Sequence, residues 1–233
     1  MRPRSLVLTA MVASTLALTG CGMVSPMYSP QLAEVPLIAH RGDTRASVAV
    51  KGIMGLDATL STGITNHLAL QLYGSVHDEE RFYHHTALGY YTGGDHFAVE
   101  GYLGLGYGHG HVMDLNDGTF VRGTYMLPFA QVNLGWRNLS KAHIDCGIAL
   151  KYGRFFPIFD ISQDHYDLET DSWYTTYEYS STRNQLIEPQ VFFRIGGERV
   201  KYSLQIGYSR FLTNDNALYH SPLTIAMGAT FFL

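Results

Sequence analysis

The stretch "EGYLGLGYGHGHVM", Glu100 to Met113, decides how the chain is read. Glycine recurs at alternate positions (Gly104, Gly106, Gly108) and His109 and His111 stand two apart. A dinucleotide fingerprint needs a third glycine at 109, where His109 stands. It also needs a following helix whose N-terminal amides hold phosphate, and no helical pattern follows. A metal site fits better, because positions i and i+2 of a strand present both imidazoles to one side, with Asp114 as a third ligand nearby. No further ligands cluster in that part of the sequence, so a polar strand end is the simpler reading. What remains is the alternation itself. Phe97, Val99, Leu103, Leu105 and Tyr107 share one face of a strand, and Glu100, Tyr102, Gly104, Gly106 and Gly108 share the other. Glycine weakens a strand unless another group must approach the backbone closely. Tyr102 and aromatics of neighbouring strands are the expected covering groups.

The same two-faced pattern recurs along the chain. In "QVNLGW", Val132, Leu134 and Trp136 oppose Gln131, Asn133 and Gly135. In "HIDCGIALKYG", Ile144, Cys146, Ile148, Leu150 and Tyr152 oppose His143, Asp145, Gly147, Ala149 and Lys151. In "IEPQVFFRI", Ile187, Pro189, Val191, Phe193 and Ile195 oppose Glu188, Gln190, Phe192 and Arg194. Polar, tight turns occur at 64–68, 92–96, 137–141 and 195–199. Longer connections fall between them at 76–82, 112–119, 156–184 and 212–220. Short turns at one end and long loops at the other are the asymmetry of membrane β-barrels. The strands expected are 45–53, 56–64, 68–77, 82–92, 96–110, 120–136, 142–155, 185–196, 199–211 and 222–233. The fold class is therefore all-β, a transmembrane antiparallel up-and-down barrel of about ten strands, with 44–233 forming the barrel. Trp136, Tyr152, Tyr208 and Phe231 stand near strand ends, where interfacial aromatics gather.

Bulk properties agree. Of 233 residues, 46% are hydrophobic and 15% charged, with 24 Gly, 16 Tyr and 12 Phe. Typical soluble domains carry about 25% charge. A mean hydropathy of −0.03 excludes a bundle of membrane helices, and a pI near 6.2 offers no basic surface for nucleic acid.

The N-terminus, "MRPRSLVLTAMVASTLALTGCG", has a basic start (Arg2, Arg4) and an apolar run from Leu6 to Leu18 that is too short to span a bilayer. It reads as an export signal, residues 1–20. Its ending "LTGC" resembles the bacterial lipobox, which implies cleavage before Cys21 and thioether attachment of diacylglycerol to the Cys21 thiol. Gly22 follows, so the aspartate that retains some lipoproteins in the inner membrane is absent. No acidic run follows either, so there is no sequence signal for moving the anchor to the cell surface. A lipidated Cys21 leaves Cys146 without a disulfide partner. Residues 21–43, with three prolines and little periodicity, read as a tether. With ten strands, both ends of the barrel fall on the short-turn side, taken as periplasmic.

The lipobox, "YSPQLAEVPLIA", "GITNHLALQLYGS", "LGYYTGGDHFAVEGYLGLGYG" and "EPQVFFRIG" together resemble small outer-membrane β-barrel lipoproteins of the Bacteroidota type. The resemblance implies a fold, a location in the outer membrane, and lipoprotein-processing and barrel-insertion machineries as partners. It implies no activity. The last strand, "PLTIAMGATFFL", is similar to the C-terminal signal read by the insertion machinery, with Leu233 where a terminal aromatic is usual.

If the apolar face meets lipid, the inner face carries Lys51, Asp57, Glu100, Asp145, Lys151, Glu188, Arg194 and Lys201. A one-signed ring marks an ion-selective pore. This set holds four charges of each sign, so ion pairs filling a narrow lumen are expected. Glu100, Arg194 and Lys201 are candidates for one cluster. A small pore for ions or solutes is the alternative. The connection 156–184 holds six acids, one arginine and seven aromatics, and supplies five of the six net negative charges of the mature chain. Asp164, Asp167, Glu169, Asp171, Trp173 and Tyr174 make it a candidate contact loop for a sugar, a protein or Ca²⁺, although the acid spacing matches no EF-hand. No catalytic motif and no cofactor motif appears. A surface hydrolase would need an Asp/His or Ser/His constellation at the outer rim, for which His77, His85 and Asp160 are the candidates. A soluble lipocalin-like carrier is the fold rival, with an apolar cavity inside and polar strands outside.

Overall fold

Alternation becomes strand wherever the sequence carries it. The computed structural model describes residues 28, 31–52, 55–77, 81–94, 96–113, 119–167, 171–181, 183–212 and 222–233. Ten antiparallel staves form the barrel: β1 (Thr44–Lys51), β2 (Gly55–Gly63), β3 (Leu68–Val76), β4 (Phe82–Gly93), β5 (Phe97–Met113), β6 (Thr119–Leu139), β7 (Ile144–Asp167), β9 (Asn184–Gly196), β10 (Val200–Tyr208) and β12 (Leu223–Phe232). Two further strands extend the wall. β8 (Ser172–Ser180) pairs with the upper part of β7, and β11 (Arg210–Phe211) continues the line of β10 and pairs with β9. Neighbours in the barrel follow chain order, and β1 closes on β12 with Arg45 opposite Phe232 and Lys51 opposite Ala226. Closure leaves the barrel no unpaired edge.

Several staves have the length a tilted membrane-crossing strand needs. β1, β2, β3, β10 and β12 have 8, 9, 9, 9 and 10 residues, against about 9–11 for a spanning strand. The outer face of the barrel is apolar and bare all round: Leu103 is 71% exposed and Leu88 64%, with Val50, Leu56, Val132, Ile148 and Val191 also exposed. Water-soluble monomers do not carry an apolar surface that encircles the molecule. The chain is a transmembrane β-barrel. The lipocalin alternative falls here, because charges lie inside and aliphatic side chains outside.

Aromatics mark both rims of the apolar band. Tyr90, Phe97, Trp136 and Phe231 are exposed at the short-turn end, where the Phe97 and Trp136 rings lie 5.3 Å apart. Phe82, Tyr107, Tyr152 and Tyr208 are exposed toward the long-loop end. Such girdles suit rings that are apolar in body and polar at the edge.

The glycines of β5 make room for inward rings. A Cβ at Gly104 would meet the Phe129 ring, and at Gly106 and Gly108 it would meet Tyr83 and Tyr125. Tyr102 covers Gly89 on β4 rather than a glycine of its own strand. Absent methyl groups let four aromatic rings lie flat against a narrow wall.

Two segments differ from the sequence reading. The connection 156–184 is largely strand. β7 runs on to Asp167 and, after a turn, β8 returns along it from Ser172 opposite Asp167 to Ser180 opposite Phe159. Tyr, Trp and Thr favour this pleated form. The wall of β5 to β8 therefore stands taller than the adjoining wall, where β9 begins at Asn184, opposite Phe155. The second difference is larger. Within the stretch read as a tether, residues 31–38 are every one buried, as is Tyr28.

Candidate functional site

The N-terminal segment runs down the middle of the barrel. Tyr28 packs edge-on against Tyr125, Phe155 and Phe211 at 5.5 to 5.8 Å, level with the long-loop rim. Its hydroxyl donates to Glu188 Oε1 at 3.0 Å. Below it, the Tyr73 hydroxyl donates to Gln31 Oε1 at 2.8 Å, and Leu32 lies against Gly207. At mid-height Gln190 Nε2 donates to Ala33 O (2.9 Å), and Gln131 Nε2 (2.8 Å) and Gln71 Nε2 (3.2 Å) both donate to Glu34 O. Lower still, Arg194 Nη2 donates to Val35 O and Arg137 Nη1 to Leu37 O. The Ile38 amide donates to Glu100 Oε1 at 2.6 Å. The segment leaves the lumen at the short-turn end, where Gly42 N donates to Gly63 O before β1 begins.

A central segment outside the ladders must have its buried backbone groups satisfied some other way. Here the wall supplies amide and guanidinium side chains from β3, β6 and β9 in place of a ladder. Sequence reasoning missed these residues, Gln31, Glu34, Gln71, Gln131, Asn133, Arg137 and Gln190. The available signal was the row of inward amides, which an ion-pair lining does not need.

The eight charged residues named from the sequence are all buried, none more than 5% exposed. They form separate contacts rather than one ring. Lys51 Nζ is 3.2 Å from Asp57 Oδ1, Lys151 Nζ 3.3 Å from Glu188 Oε2, and Lys201 Nζ 2.5 Å from Asp145 Oδ1. Arg194 pairs with Glu34 of the central segment at 3.6 Å, and Glu34 also accepts from the Ser47 hydroxyl. Among the described residues, Glu100 has no cation within salt-bridge distance. It accepts from the Ile38 amide and, at 2.9 Å, from Asn133 Nδ2. Glu100, Arg194 and Lys201 thus share the short-turn half of the lumen but take different partners. Of the four cations, Arg194 alone takes its carboxylate from the inserted segment, and the other three pair within the wall.

Aromatic rings close the upper lumen around Tyr28, with Tyr125 and Phe155 at 4.7 Å and Tyr83 and Tyr125 at 6.0 Å. At the short-turn end a pocket of about 380 Å³ opens among Asp43, Arg45, Arg137, Asp145, Glu198 and Lys201. Its mixed charges offer no one-signed entrance.

The ribbon of β7 and β8 presents Trp173 (72% exposed), Tyr174, Tyr177 (82%) and Tyr179. Thr175 Oγ1 donates to Asp164 Oδ1 at 2.7 Å, and the His165 and Tyr174 rings stack at 5.3 Å. Asp171 stands at the turn with φ +50°. Glu169 and the side chain of Asp167 lie outside the described residues, as do Cys21 and the export signal. His85 is not at the outer rim. It is buried in the lumen, stacked on Tyr73 at 4.9 Å and within 3.3 Å of Gln71 Oε1, while His84 is exposed on the other face. The trio His77, His85 and Asp160 is therefore not a rim constellation. On the outer face His109 stacks on Phe82 and His111 tilts against Phe120, and Asp114 lies outside the described residues. Among the described residues no three potential ligands gather as a metal site.

No family model matches the chain, and no curated protein matches it. Among solved structures it is similar to the copper transporter OprC, with 11% identity, 88% of this chain and 43% of that chain covered, and a TM-score of 0.27. It is also similar to OmpTdeltaL8, a loop L8 deletion mutant of OmpT, an outer membrane protein of Vibrio cholerae, with 8% identity, 82% and 97% covered, and a TM-score of 0.22. The chain spans under half the length of the first. The fold assignment rests on the chain's own strand order and on the distribution of its side chains.

Proposed function

We propose that the protein is an outer-membrane lipoprotein whose sealed barrel serves as a rigid support, holding an acidic, aromatic ribbon away from the membrane for contact with a surface partner. The observation that carries this reading is the inserted segment. Residues 31–38 fill the lumen and are bonded to side chains from β1, β3, β5, β6 and β9. A conduit needs binding groups that let a solute leave again, and these groups are spent on the chain's own backbone. The lipobox supports lipidation at Cys21, and the C-terminal strand supports recognition by the insertion machinery. The short-turn end is then periplasmic and the ribbon extracellular. Exposed tyrosine and tryptophan beside Asp160, Asp164, Asp171 and Glu178 suit a cationic or carbohydrate partner.

Planar-bilayer recording of the purified full-length protein tests the reading. A sealed support gives no stable unitary current at any polarity. A reproducible unitary conductance would make the protein a pore and the inserted segment a gate.

A further inference from the structure

We infer that the chain leaves the barrel through its long-loop end, so that the lipid on Cys21 sits in the outer leaflet, at the cell surface. This rests on the lipoprotein reading above and reverses its simplest topology, in which the tether and anchor stay on the periplasmic side.

The inserted segment has a direction. Going backward from β1, the chain is at the short-turn end at Gly42 and Gly63, at mid-height at Glu34 with Gln71 and Gln131, and at the long-loop rim at Tyr28. Tyr28 touches Phe155, whose backbone partner Asn184 is the first residue of β9, so on that side the wall ends at this level. The chain preceding Tyr28 therefore starts from the mouth of the barrel.

Length fixes the leaflet. Cys21 precedes Tyr28 by seven residues. Fully extended, these reach about 25 Å, at roughly 3.3–3.6 Å per residue. The hydrocarbon core alone is about 30 Å thick, and the chain must first pass over the wall. The far leaflet is out of reach, and the lumen that would lead back to it is already filled. The near leaflet lies just over the rim. No acidic export signal follows Cys21, and threading supplies the route that such a signal would otherwise specify.

Threading also dictates the order of assembly. A diacylglyceryl group cannot pass a closed lumen packed with Tyr28, Leu32, Arg194 and Leu37. The staves must close around the segment, with the β1–β12 seam, Arg45 to Phe232, forming last.

The test uses full-length protein carrying Cys146→Ala, with single cysteines at Ser25, at Thr175 on the ribbon, or at Glu198 in a short turn. Intact cells are treated with a polyethylene glycol maleimide too large to cross the outer membrane, and palmitate incorporation is measured on the same samples. Palmitate incorporation with Ser25→Cys and Thr175→Cys labelled in intact cells, and Glu198→Cys labelled only after permeabilisation, is the expected result. Palmitate incorporation with Ser25→Cys protected alongside Glu198→Cys would overturn the inference and leave the lipoprotein reading standing. Loss of palmitate incorporation would overturn both, whatever the labelling. If Ser25→Cys disturbs processing, Met23→Cys probes the same stretch with the same outcomes.

Discussion

Removing residues 28–39 is expected to convert a silent barrel into a conducting one. Tyr28, Leu32, Val35, Leu37 and Ile38 are all at most 5% exposed. Burying such side chains is worth about 1.5–3 kcal/mol each. Ordering the segment costs about 1–2 kcal/mol per residue, so the two terms largely offset one another. The staves keep their own ladders, and Lys51–Asp57, Lys151–Glu188 and Lys201–Asp145 are pairs within the wall. The wall should therefore persist while water replaces the segment and solvates Gln71, Gln131, Asn133 and Gln190. The expected outcome is a stable unitary current where the intact protein has none, with weak ion selectivity because the eight wall charges balance. The unfolding midpoint should fall at the same time, because deletion leaves Arg194 buried without Glu34. The current is read in planar bilayers and the midpoint from the boiling-dependent mobility shift on SDS gels. A folded deletion variant that neither conducts nor melts earlier would show that the segment does not seal the lumen.

The second large effect centres on Arg194, which is fully buried. It pairs with Glu34, donates to the Val35 carbonyl and stands opposite Asp145 across β7 and β9. Replacing it with methionine keeps much of the volume and strands the Glu34 carboxylate. Breaking a buried pair from one side costs about 3–5 kcal/mol, whereas replacing both charged partners is often close to neutral. Arg194→Met is thus expected to destabilise the barrel by about 3–5 kcal/mol, and Arg194→Met with Glu34→Gln to recover most of that loss. Urea unfolding in detergent micelles reads both. Equal losses in the single and double variants would mean that Arg194 acts through the wall rather than through the inserted segment.

The barrel was legible because each stave faces two different environments. Leu103 and Leu105 on one side and Gly104 and Gly106 on the other are enough to assign faces, and ten such stretches with alternating short and long connections imply closure. The observed boundaries depart mainly where no second environment exists. Residues 31–38 are surrounded on all sides, so their sequence has no period, and Pro36 reads as linker punctuation. β8 has the opposite problem: all but one of its residues are exposed, Trp173 and Tyr177 on one side and Tyr174 and Glu178 on the other. Its β-forming composition was the available clue. Which charges meet was not legible either, because Lys51–Asp57 and Lys151–Glu188 depend on cross-strand register. Arg194–Glu34 depends on a segment whose path the pattern does not reveal.

The most direct test of the filled lumen is the accessibility of a cysteine placed at Val35, in a Cys146→Ala background, to a small water-soluble maleimide. Val35 lies midway along the inserted segment and is 1% exposed. With the folded protein in micelles open at both ends, the account predicts no labelling until the barrel is unfolded by boiling, and complete labelling afterwards. Rapid labelling of the folded barrel would contradict it, because the thiol would then stand in an open channel.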